Sequence, residues 1–86
     1  MNYRDKLIND ILNETVEEFL SRDRTGQIME AAIEAEVSLR RRLTVGRWVD
    51  FLRRAGESHG AEEFLAAAAW RADDEYQDER LAGRPA

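Results

Sequence analysis

Acidic side chains crowd one end of this chain: Asp73, Asp74, Glu75, Asp78 and Glu79 fall within seven consecutive positions. Such a cluster can attract a basic protein surface, or stand in crudely for a phosphate backbone. On a helix, Asp74 with Asp78 and Glu75 with Glu79 are like-charge pairs one turn apart, each unfavourable by roughly 0.2–0.5 kcal/mol. Near a helix C-terminus the macrodipole disfavours them as well. Folding gives no reason for the pattern, which leaves partner binding or simple solvation of the face. Arg71 and Arg80 are near enough to neutralise part of it.

A second cluster is basic: Arg40, Arg41, Arg42, Arg47, Arg53 and Arg54, with Asp50 the only acid among them. Consecutive arginines on a helix fan out at about 100° per residue, so the first three do not form one patch. Asp50 stands at helical spacing from Arg47, Arg53 and Arg54 and can pair with them. Phe51 falls off the face marked by Val45, Trp48, Val49 and Leu52, and an exposed aromatic beside arginine is the composition of interface hot spots. Arg47, Phe51 and Arg54 are therefore a second candidate partner-binding set. The same segment allows an alternative reading as a small helix-turn-helix-like DNA-binding regulator, with the Arg-bearing helix entering the major groove. Against that reading, the helix has no Gln, Asn or Ser to read bases, and the net charge of −5 opposes attraction to nucleic acid. Trp48 and Trp70 read as packing residues.

His59 is the only histidine, and Glu62 and Glu63 follow it closely. A metal centre or a general base would need at least two more converging ligands or a held nucleophile, which local spacing does not supply. Ser58 is better explained as a helix cap than as a nucleophile. With no cysteine there is neither a thiolate ligand nor a disulfide. No catalytic residue, metal ligand or cofactor is expected.

The elements that must carry these groups are all helical. From Tyr3 to Leu20, apolar residues recur in pairs (Leu7 and Ile8, Ile11 and Leu12, Thr15 and Val16, Phe19 and Leu20), which predicts a first helix with Asn2 as its cap. Ser21 to Gly26 is a polar connection. A second helix, capped by Asp23 or Thr25, runs to about Arg42 on Ile28, Met29, Ala32, Ile33, Ala35, Val37 and Leu39, with Leu43 just beyond, and its alanines invite close approach of a neighbour. A third spans about Val45 to Ala55 and stops at Gly56, despite Gly46 in its first turn. A single helix from Gly26 through Ala55 is the competing arrangement. A fourth, capped by Ser58, runs from about Ala61 to Leu81 and ends at Gly83 and Pro85. No period-two segment and no internal repeat at spacings of roughly 20–50 residues is apparent. The fold expected is all-α, a small bundle of about four helices with short connections: a single domain over residues 1–83, with 84–86 a frayed tail.

Eighty-six residues make one core. No apolar run approaches the roughly 20 residues of a membrane span, and the charged first segment excludes a signal-peptide core, so a cytoplasmic location is the expectation. Twelve Arg against one Lys, with twelve Ala, suggests by association a GC-rich bacterial or phage genome. The function expected is a non-catalytic protein–protein interaction module, an accessory protein that inhibits or modulates a host complex through charged helix faces. Its partner would be a protein with a basic or nucleic-acid-binding surface, and a homodimer is compatible with so small a core.

Overall fold

The computed structural model describes residues 2–23, 26 and 28–82, with side chains described as far as Gln77. These residues form six helices and no strand: α1 (Tyr3–Leu12), α2 (Val16–Ser21), α3 (Met29–Glu34), α4 (Ser38–Arg41), α5 (Val45–Arg54) and α6 (Ser58–Ala82). The class is the all-α bundle expected, but two of the four expected helices are each broken in two.

The first break falls inside the segment Tyr3 to Leu20. Asn2 does cap α1, its side chain accepting from Asp5 N at 2.8 Å. Pairs recurring every four residues, however, rotate by about 40° per step on a 3.6-residue helix, so Leu7 and Phe19 would lie roughly 120° apart on one straight rod. Ending α1 at Leu12 and restarting at Val16 returns both sets to the core: Ile11, Val16 and Phe19 are all buried. Thr15 performs the restart, its hydroxyl accepting from Glu18 N at 3.2 Å. Thr15 followed three residues later by Glu18 is the spacing of a capping box, the signal that periodicity masked.

Thr44 repeats this arrangement before α5, accepting from Arg47 N at 3.2 Å. The two threonines have nearly the same backbone, φ −68° and ψ 153° against φ −67° and ψ 157°. They face each other in a single antiparallel β-bridge. Val16 N donates to Leu43 O, and Val45 N donates to Glu14 O, both at 2.8 Å. The first N–H of a helix has no partner within it. Each of these two buried valines instead gives its N–H to the carbonyl of the other loop. A short internal repeat thus exists after all, threonine-valine followed by an aromatic three residues on: Thr15, Val16 and Phe19 against Thr44, Val45 and Trp48. Three positions per unit, one of them differing (Phe19 against Trp48), are too few to register as periodicity.

The second break, at Ala35 to Val37, separates α3 from α4. It excludes both the long second helix and the continuous helix from Gly26 to Ala55. α3 begins after Ile28 without a side-chain cap, so Asp23 does not fill that role, and Thr25 lies outside the described residues. Its inward face is small: Ala31 and Ala35 are buried with Ile28, whereas Met29, Ile33, Val37 and Leu39, expected in the stripe, are exposed. This small face packs against Gly60, buried on α6. A Cβ placed there would stand 3.5 Å from the Ala31 Cβ and 3.6 Å from Leu52, ordinary packing distances, so α3 and α5 both lie directly against the start of α6.

α5 forms as expected, with Val45, Trp48, Val49 and Leu52 buried. Gly56, at φ +81°, ends it: Gly56 N bonds Arg53 O at 3.1 Å and Glu57 N bonds Leu52 O at 2.8 Å, a Schellman closure. Gly46 packs beside Leu12, whose carbonyl oxygen is 3.4 Å from where a Cβ would stand. α6 starts at Ser58, three residues earlier than expected, with Glu57 O accepting from Ala61 N at 3.1 Å. Ser58 is therefore inside the helix rather than its cap, and His59 lies in the first turn. Gly83, Pro85 and the tail 84–86 lie outside the described residues. α6 is the spine of the bundle, with α5 packed along its start and α1 along its later turns. Phe64 on α6 meets Phe19 at 5.7 Å and Trp48 edge-on at 6.3 Å between centroids, forming the centre of the core.

Candidate functional site

The acidic cluster is partly consumed within the fold. Asp73 pairs with the Arg4 guanidinium on α1, and Glu75 pairs with Arg71 at 3.0 Å. Asp74 is exposed and has no ion pair among the described residues, while the Asp78 and Glu79 side chains lie outside them. Arg71 does the neutralising that its position suggested and more. It also holds Glu14 at 2.5 Å, and Glu14 in turn holds Arg22. These pairs give the acidic end a folding role that the like-charge spacing concealed. Hydrogen bonding from Arg4 keeps the Asp73 carboxyl below the usual carboxylate range. A depressed folded pKa means that this contribution is complete above the unfolded value of about 3.9 and fades as pH falls through the lower folded value. Accordingly, part of the acid destabilisation of the chain should vanish in Asp73→Asn, a difference to be read from melting curves collected between neutral pH and pH 2.

The basic face remains open. Arg42, Arg47, Arg53 and Arg54 are exposed, and none of them has an ion pair among the described residues. Asp50 pairs with none of Arg47, Arg53 or Arg54, contrary to the helical-spacing expectation, because all four side chains extend into solvent, where such pairs gain little. Phe51 is 40% exposed, as expected from its place off the core face. It stacks on Trp48 at 5.3 Å and 11°, and the Arg40 guanidinium lies 5.0 Å from its centroid. Arg40 is fixed there by Glu34 at 3.6 Å. Trp48 is in the core as expected, but Trp70 is 45% exposed.

Sequence reading missed the largest feature. Met29 (70% exposed), Ile33 (62%), Val37 (58%) and Leu39 (73%) make an apolar edge along α3 and α4. The segment carries two apolar stripes, one small and one large. The small one turns inward, against Gly60, far away in sequence. The edge is acidic beside α3, where Glu30, Glu34 and Glu36 are exposed, and basic beside α4 and α5.

The isolated histidine acquires company. His59 Nε2 lies 2.8 Å from Glu63 one turn along α6, and Glu30 of α3 joins them, the three ligand atoms lying within 4.8 Å of one another. An open cleft of about 330 Å³ adjoins the group, lined also by Ile33, Glu34 and Glu57. Glu63 was visible as an i+4 neighbour. Glu30 was not, since the break before α4 and the Gly60 contact bring it there. No helix among the described residues is long and apolar enough to cross a membrane. Compared with known proteins, the chain matches no family model, no curated protein and no solved structure.

Proposed function

We propose that this chain is a non-catalytic protein-interaction module whose docking surface is the apolar edge of α3 and α4, and that the first occupant of that edge is a second copy of the chain. The carrying observation is the exposure of Met29, Ile33, Val37 and Leu39 together. Burying each such side chain is worth about 1.5–3 kcal/mol, which a monomer forgoes. Charge arrangement favours the second copy. A two-fold axis across the edge runs the segments antiparallel and sets the Glu30, Glu34 and Glu36 end of one protomer against the Arg40 to Arg42 end of its partner.

The dimer would present two copies of the exposed arginine face of α5, with Phe51 at its centre, to an acidic partner. This reverses the charge relation read from the sequence, because Asp73 and Glu75 are already paired internally and Arg47, Arg53 and Arg54 are not. We retain the wider role of an accessory protein that modulates a larger complex by occupying a surface. The same unpaired arginines support duplex DNA as a second reading, distinguished by binding that falls steeply with salt.

The test is molar mass by light scattering across micromolar to millimolar concentration, for the unaltered chain and for Ile33→Asp with Leu39→Asp. Both positions are exposed, so the variant should keep its helicity and its melting temperature. Dimerisation should appear in the first and weaken at least tenfold in the second. A monomer at every concentration would remove the second copy and leave a different protein as the occupant.

A further inference from the structure

We propose that Glu30, His59 and Glu63 bind a divalent transition-metal ion, Zn²⁺ by ligand chemistry, and that the ion clasps α3 to the first turns of α6. His59 and Glu63 stand one helical turn apart on one face of α6, the spacing at which two side chains can share a ligand. The close approach at Gly60 and Ala31 brings Glu30 to them from the neighbouring helix. All three ligand atoms already lie within 4.8 Å. Around a tetrahedral ion with bonds of about 2.0–2.1 Å, ligand atoms stand roughly 3.3 Å apart, so small side-chain movements suffice.

An independent observation comes from Glu63 itself. One of its oxygens meets His59, but Oε2 is shielded from solvent and has no hydrogen-bond partner. A carboxylate oxygen deprived of both water and a donor is costly, and a cation held by the same carboxylate offsets that cost. The nitrogen ligand argues against Ca²⁺ and Mg²⁺, which take oxygen, whereas one imidazole with two carboxylates suits Zn²⁺ and neutralises its charge. Three protein ligands leave a fourth position for water, and two of the three, Glu30 and His59, line the cleft.

The consequence is structural. Within α3 only Ala31 is buried, so this six-residue helix is weakly held, and an ion would tie it to the spine. The site borders the docking edge, since Glu30 and Ile33 belong to both, but the inference does not depend on the docking reading and is tested on metal binding alone.

The untagged full chain should be titrated with Zn²⁺ by calorimetry, and with Co²⁺ to observe d–d absorption of a low-symmetry site. A single saturable site is expected, with affinity reduced at least tenfold in His59→Gln and in Glu30→Gln. Glu62→Gln removes the same charge as Glu30→Gln from an adjacent exposed position and should leave binding unchanged. A hundredfold excess over the Kd should raise the melting temperature by about 15 °C in the unaltered chain, and not in His59→Gln. No saturable binding at millimolar Zn²⁺ would overturn the proposal. So would full affinity in Glu30→Gln, which would confine the metal to α6.

Discussion

Trp48→Ala should lower the unfolding free energy by about 3–5 kcal/mol, the usual cost of deleting a buried aromatic side chain. Trp48 has no exposed surface and contacts Phe64 edge-on and Phe51 face-on. A chain of 86 residues holds about 4–13 kcal/mol in total, so the variant should be largely unfolded under mild warming. Trp48→Phe is the informative companion. It keeps an aromatic ring and removes an indole Nε1 that is buried without a partner, so about 1 kcal/mol of loss is expected. Urea denaturation of both variants measures the difference. Equal, small effects would mean that the aromatic centre is not where α2, α5 and α6 are joined.

Glu14→Ala should be the most damaging change at a charged position. Its carboxylate is 13% exposed and binds Arg71, itself 15% exposed, as well as Arg22. Truncation leaves the Arg71 guanidinium poorly solvated with Glu75 as its remaining partner, a loss of about 2–3 kcal/mol. An exposed pair would be worth far less. The check is a double-mutant cycle with Arg71→Ala, which should return a coupling of about 1–3 kcal/mol by thermal or chemical melting. Additive effects would show that the pair is no more than a surface contact.

Glu14 also shows why some of the fold was legible in the sequence and some was not. The stripe of α5 could be read because Val45, Trp48, Val49 and Leu52 follow one helical period to a glycine that ends it, and all four are buried. Periodicity alone could not place the break at Thr15, because the apolar pairs run through it without interruption, whereas the capping chemistry of Thr15 and Glu18 could have. Ile33 and Leu39 fit a core stripe by local periodicity and are exposed: α3 turns Ala31 towards Gly60 on α6, and the break at Ala35 to Val37 takes α4 out of that register. The candidate sites divide the same way. Phe51 was identified by its angle on one helix. The pairing of Asp73 with Arg4 and the meeting of Glu30 with His59 join helices distant in sequence, and no local pattern encodes them.

The reciprocal bridge at Thr15 and Thr44 limits how this protein can come apart. A repeated helix-loop-helix unit often behaves as a module that frays or refolds by itself. Here the Val16 amide is satisfied only by the second unit's Leu43 carbonyl, and the Val45 amide only by the first unit's Glu14 carbonyl. Neither half is complete without the other, and opening one exposes an unpaired donor in both. The two units consequently form one foldon rather than two, and the slowest amide exchange in the molecule belongs at their shared seam.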